Sequence, residues 1–312
     1  MKLFLKKVFT FLLSLFLIAL IIQLGISAYI KNKNIADHDT WHQIKNQYND
    51  VIFLGSSRCY SQFDPDYFFE KSHLKALNLG IDGHSELSAH RLRLNYYLAY
   101  NTPPKFVILN FDPFISPDAD YRKQKSMYNK DCFARYAFLA SGPNRWIADY
   151  YNFSPIERYV PLYALLKYRK LLNCFLSAKT TYQPFDKHNE DWDTTKYPVN
   201  KSEVLNFYVL TKYYNDVKLS LQRIKSICDQ HNIKLICVQT PVYKDIYVAR
   251  EFNNSKKICQ ELTIPFFDCN SDPLTADPLN FYNANHMNVR GGHKMLDLLF
   301  SDSAFVACLH SK

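Results

Sequence analysis

VIFLGSSRCYSQ, residues 51–62, is the stretch on which the fold turns. Four apolar residues, Val51–Leu54, stop at Gly55, and two serines and an arginine follow. A short apolar run without alternation, bounded by turn residues, marks a strand covered on both faces of a sheet. The serines at its end admit two readings. One is a turn followed by a helix cap, in which a hydroxyl satisfies a free backbone N–H. The other is a nucleophile, because open α/β sheets carry their chemistry at the carboxyl ends of their strands.

Four more runs of the same kind follow, at Ala76–Leu79, Phe106–Asn110, Lys234–Gln239 and Ile264–Phe267. Helical patterns separate them. The clearest lies over 203–232, where Phe207, Leu210, Tyr214, Val217, Leu221, Ile224 and Cys228 recur at spacings of three and four, the core-facing stripe of an amphipathic helix. Further helices are expected over 85–99, 243–262 and 292–300. Strands alternating with helices predict an α/β fold, a three-layer, flavodoxin-like, doubly wound parallel sheet with right-handed crossovers. Between Pro113 and about Asn200 no strand pattern stands out, and this stretch reads as a largely helical insertion placed over the carboxyl edge.

The N-terminus carries Lys2, Lys6 and Lys7, then an uncharged run, VFTFLLSLFLIALIIQLGISAY, from Val8 to Tyr29. About 20 apolar residues cross a bilayer, whereas a cleaved signal has an apolar region of about 7–15. The run predicts an uncleaved, single-pass anchor over 1–30, with the lysines inside and the body extracytoplasmic. Residues 31–50 are then a juxtamembrane connection, and 51–312 the α/β domain with its insertion at about 113–200. DHDTWH at 37–42 is assigned to surface rather than to a metal site.

Among 312 residues there are 23 Tyr, 23 Phe and 7 Gly, enough to fill a large core. The net charge of +9 suits an anionic partner. The charges are scattered, with no arginine-rich tract and no nucleic-acid module, so nucleic acid is not expected. Eight cysteines occur without a CxxC, which argues against a structural zinc, and their spacing selects no disulfide pairing.

Near the C-terminus, FYNANHMNVRGGHKML (281–296) puts His286 in a loop between the fifth strand and the last helix. A serine after strand one and a histidine before the last helix can meet across the carboxyl edge. A Ser–His pair needs that meeting, because a serine hydroxyl is a poor nucleophile until a base takes its proton.

These residues together resemble the SGNH (GDSL-like) hydrolase family. Its first block, Gly-x-Ser at the end of strand one, is matched by Gly55-Ser56-Ser57. The resemblance implies that Ser57 is the nucleophile and its own N–H an oxyanion donor. The second block is matched by NLGIDG (78–83), with Gly83 supplying a second N–H. The last, Asp-x-x-His, is matched by Asn283-Ala284-Asn285-His286, with His286 as base. The chain looks most like the membrane-anchored branch that includes the D-alanyl transfer protein of teichoic acid synthesis and polysaccharide O-acetylation proteins.

Two positions depart from the family pattern. Gly-x-Asn-Asp after strand three is replaced by LNFDPF (109–114), where Asn110 is the one amide available to the oxyanion and Asp112 either lines the site or caps a turn. The acid three residues before the histidine is Asn283. An amide orients the histidine in Cys-His-Asn enzymes, and Asp268, Asp272 and Asp277 are the alternative partners. Arg58 is assigned to an anionic group of the substrate, its alternative being a structural ion pair. The resemblance implies a membrane-anchored esterase or O-acyltransferase acting on an acylated envelope glycan, alongside other envelope-biosynthesis membrane proteins and without a cofactor. The alternative is an inactive binding or scaffolding protein of polysaccharide export.

Overall fold

The computed structural model describes residues 1–30, 44–117, 134–168, 185, 187–200 and 210–310. They fall into two compact units, one formed by Met1–Lys45 with Asp120–Tyr182, the other by Asn46–Ala119 with Gln183–Lys312. Residues 37–42, Cys132, Cys174 and Phe207 lie outside the described residues.

In the second unit, strand β1 (Val51–Leu54) is fully buried, as its all-apolar sequence requires. It pairs in parallel with β2 (Ala76–Asn78) on one side and β3 (Phe106–Asn110) on the other. Strand β4 (Lys234–Gln239) and strand β5 (Phe266–Asp268) complete the order β2-β1-β3-β4-β5, all parallel. This is the flavodoxin-like order, whose switch point lies between β1 and β3. Connections run through α2 (Ser57–Gln62) and α3 (Pro65–Ser72), then α4 (Leu87–Leu98). Right-handed crossovers put helices connecting opposite directions on opposite faces. Accordingly α4 packs with α8 (Leu210–Gln230), which packs with α9 (Ala249–Glu261). On the other face, α2 and α3 pack with α11 (Val289–Ser301), which is followed by α12 (Ser303–His310). The expected stripe of α8 is the buried one, with Leu210, Val217, Leu221, Ile224 and Cys228 wholly inside.

Three elements differ from expectation. Strand β5 starts at Phe266 rather than Ile264, because Pro265 enters the ladder through its carbonyl, which accepts from the N–H of Cys237 at 2.9 Å. His286 is not in a loop. It belongs to a short antiparallel hairpin, β6 (Phe281–Asn283) with β7 (His286–Met287), preceded by helix α10 (Asp272–Ala276). The stretch 113–200 is not one insertion either. The segment 187–200 is irregular and fastened to the α/β unit: Trp192 is buried, its N–H donates to Phe281 O at 3.0 Å, and Val289 N–H donates to His188 O at 2.8 Å.

The described part of the other unit is helical. It contains α1 (Lys2–Ile30), a 3₁₀ turn at Ala134–Tyr136, and the short helices α5 (Pro143–Tyr150), α6 (Pro155–Tyr159) and α7 (Tyr163–Lys167). Helix α1 is long and apolar enough to cross a membrane, and almost none of it is buried within the protein. That pattern differs from the core helix of a soluble protein, whose apolar side chains are covered.

Two glycines set the approach of the elements that carry Ser57 and His286. Gly55 has φ +156°, and a Cβ there would stand 2.5 Å from Cys59 Cβ and 2.9 Å from Asn110 Cβ. A Cβ on Gly292 would stand 2.8 Å from Gln62 O, so its absence lets α11 lie directly on α2. Gly55→Ala is therefore expected to destabilise the fold by about 1–3 kcal/mol through overpacking. Chemical denaturation of the variant beside wild type measures the loss.

Candidate active site

The carboxyl end of β1 turns at Gly55 into α2. Ser56 is its N-cap, its hydroxyl accepting weakly from Arg58 N–H at 3.4 Å. Ser57 opens the helix, and its Oγ lies 2.8 Å from His286 Nε2. Ser56 thus takes the cap role, while Ser57 stands within hydrogen-bond reach of His286.

The other imidazole nitrogen, Nδ1, lies 3.0 Å from Asn283 Oδ1. That oxygen also accepts the backbone N–H groups of Asn285 and His286, each at 3.0 Å. Two backbone donors fix the amide orientation, because a flipped NH₂ would face them. Nδ1 must then carry the proton and donate it to Asn283, which leaves Nε2 as the acceptor of the Ser57 hydroxyl. An amide thus sets the tautomer that a triad carboxylate sets elsewhere.

The amide adds no negative charge. Burial, followed by the positive charges of Arg58 and His188, pushes the His286 pKa down to about 3. Tyr282 stacks on both His286 and His188, with ring centroids 5.4 Å and 3.8 Å away. Asp268, Asp272 and Asp277 do not take the place of Asn283. Asp268 accepts from the backbone and side-chain N–H groups of Asn270, Asp277 caps the turn at Leu279, and Asp272 sits in the first turn of α10.

Arg58 corrects the substrate-binding assignment. It is buried, and all three of its guanidinium nitrogens donate within the protein. Nε donates to Asp112 Oδ2 at 2.6 Å, Nη1 to Asn285 O, and Nη2 to Thr240 O, Thr240 Oγ1 and Pro241 O at 2.9, 2.7 and 3.0 Å. The Phe114 ring covers it at 4.9 Å. The structural ion pair is the reading that holds, because the guanidinium is buried against Asp112 and every one of its nitrogens bonds within the protein.

Asn110 is corrected for the same reason. Its Nδ2 faces Asp112 Oδ2, Thr240 Oγ1 and Val238 O at 3.2, 3.1 and 3.4 Å, so its donors serve the interior rather than an oxyanion. Asp112 both pairs with Arg58 and caps a turn, accepting Phe114 N–H at 3.0 Å. Gly83 lies exposed in the turn after β2 with φ +70°. Ser57 N–H heads a helix, where backbone geometry provides no intrahelical acceptor.

Some positioning residues escaped the sequence reading. Asn78 donates to Cys59 O and Phe63 O at 2.9 and 2.8 Å, which clamps the far end of α2 to β2. It opens the NLGIDG block, so its signal was present. Thr240, directly after β4, carried no such signal. His293, one of several histidines without an assigned role, bonds Asp64 at 2.9 Å and stacks on Tyr67. Among the described residues no cluster of His, Cys, Asp or Glu could hold a metal ion, and the six described cysteines are free thiols.

No family model and no curated protein matches the sequence. Among solved structures, the chain is similar to a protein from Bacteroides fragilis provisionally described as an acylhydrolase, at 13% identity and a TM-score of 0.40, covering 87% of this chain and 96% of that one. It is also similar to a GDSL-like lipase from Bacteroides thetaiotaomicron, at 11% identity and a TM-score of 0.35, covering 82% and 86%.

Removing one member of a buried ion pair leaves the other charge uncompensated, which costs about 3–5 kcal/mol. Arg58→Met is expected to lose stability on that scale, and Arg58→Met combined with Asp112→Leu to recover a large part of it. Denaturant unfolding of the two variants beside wild type measures both.

Proposed function

We propose that this protein is a membrane-anchored serine esterase or O-acyltransferase that acts outside the membrane on an acylated envelope glycan or related polymer. The observation that carries the reading is the run of bonds from Ser57 Oγ through His286 to Asn283 Oδ1. The apolar α1 supports the anchor, and three lysines before the span support an extracytoplasmic body.

In this mechanism Ser57 Oγ attacks the acyl carbonyl carbon while Nε2 of His286 takes the hydroxyl proton. The developing oxyanion is met by the N–H groups of Ser57 and Gly83. Collapse expels the alcohol, which receives the proton from Nε2, and an acyl-Ser57 ester remains. Water or a sugar hydroxyl, deprotonated by the same nitrogen, then attacks that ester. Collapse breaks the acyl bond to Ser57 Oγ, which takes the proton back from Nε2 as the acid or new ester leaves. Asn283 holds Nδ1–H throughout and keeps the ring aimed.

A second reading is favoured by the neutral amide at 283. Without a carboxylate the imidazolium is less stabilised, which suits a protein that binds an acylated polymer without turning it over. The two readings part on covalent reactivity. A fluorophosphonate probe is expected to label wild type at Ser57, with labelling lost in Ser57→Ala and His286→Ala. Unlabelled, folded wild type would leave the binding protein.

The low pKa of His286 has a visible consequence. The base works while neutral, so its acid limb lies where the ring protonates, near pH 3 rather than the ordinary 6.5. At pH 5 an unperturbed histidine would already be protonated about thirtyfold. Labelling or kcat/KM is expected to stay nearly flat from pH 7 to 5 in wild type. In Asn283→Asp the carboxylate favours the imidazolium, so the limb moves upward while the rate at neutral pH is equal or higher. Asn283→Ala lowers the rate at every pH. A pH–rate profile of the three proteins tests this set.

A further inference from the structure

The helices α5, α6 and α7 bury one apolar face and expose a second set of apolar and aromatic side chains among a few charges. Inward, Ile147, Ala148, Phe153, Ala164 and Leu165 are buried. Outward, Trp146, Ile156, Tyr159, Val160, Tyr163 and Leu166 stand 40–64% exposed. Exposed apolar side chains gathered on one segment mark a partner or membrane surface, and Trp and Tyr concentrate where lipid meets water.

The segment is tied to α1 at a definite depth. Gln23, inside the apolar run, is buried, and its Oε1 accepts the backbone N–H of Leu162 at 2.8 Å while its Nε2 donates to Ser27 Oγ at 2.9 Å. A polar side chain at membrane depth must be satisfied by protein, and here the corner between α6 and α7 does it. Gln23 precedes Tyr29, the end of the run, by about 9 Å of helix rise. The charges of the segment pair with each other, Arg158 and Arg145 with Asp149 at 2.5 and 3.8 Å and Lys167 with Glu157 at 2.8 Å. Its outward face is apolar and aromatic, not a basic patch seeking anionic lipid.

We infer that residues 143–167 lie in the lipid–water boundary of the leaflet at the C-terminal end of α1, with Trp146, Tyr159, Val160, Tyr163 and Leu166 against phospholipid. This rests on α1 spanning the bilayer. The test uses the full-length wild-type protein in phosphatidylcholine vesicles containing a photoactivatable phospholipid, its diazirine either next to the headgroup or at the acyl terminus, with adducts mapped by peptide mass spectrometry. The headgroup-side probe is expected to label 143–167 as strongly as the last turns of α1, with no loss of yield at high salt. The acyl-terminal probe is expected to label the middle of α1 and to lose the 143–167 adducts. Labelling of α1 with none on 143–167 overturns the inference while the anchor stands. If α1 is itself unlabelled, the anchor falls and this inference falls with it.

Discussion

The guanidinium of Arg58 is the constraint on which the site depends. Placed immediately after Ser57, it reaches the Asp112 carboxylate beyond β3, the Thr240 and Pro241 carbonyls beyond β4, and the Asn285 carbonyl in the β6–β7 hairpin. One side chain thus ties the ends of β3 and β4 and the hairpin to the first turn of α2. Asn283 and His286 flank the carbonyl it grips. The 2.8 Å approach of Ser57 to His286 is consequently a property of the ion-pair network as much as of the two residues themselves. A buried charge of this kind adds little net stability, and its contribution is the register it imposes.

The same arginine acts on the imidazole at a distance. Its charge, after burial, helps keep His286 neutral, and His188 works in the same direction. With an amide rather than a carboxylate on Nδ1, nothing offsets them. The ring is held in one tautomer by geometry alone, since Asn283 Oδ1 is itself fixed by two backbone N–H groups.

Most of the sheet was legible because its strands are short apolar runs between polar stops, and β1, β3 and β4 sit where the pattern puts them. Strand β5 was displaced because Pro265, which has no N–H to give to a ladder, interrupts the apolar run Ile264–Phe267. The positions of Ser57 after the first strand and of His286 before the last helix were legible from the elements around them, and Asn283 only through the family resemblance. The role of Arg58 was not. Its partners lie 54 to 227 residues away in sequence, and an isolated arginine beside a serine looks the same whether it faces a ligand or a buried aspartate. Asn110 misled for a related reason, since which way an amide points depends on β4, which sequence alone does not place beside it. The stretch after Pro113 looked uniform because aromatic residues fill both the small helical unit and the part around Trp192 that completes the larger core.

The distance along the chain between Ser57 and His286 also sets a timetable. At about 5–20 residues per second of synthesis, the 229 residues separating them take roughly ten to fifty seconds to appear. During that interval the hydroxyl has no imidazole beside it and is an ordinary alcohol. The hairpin bearing His286 and the helix that seats on α2 emerge only after all five strands of the parallel sheet. The Ser57–His286 pair is therefore a late event of synthesis, formed only once the hairpin has emerged and docked.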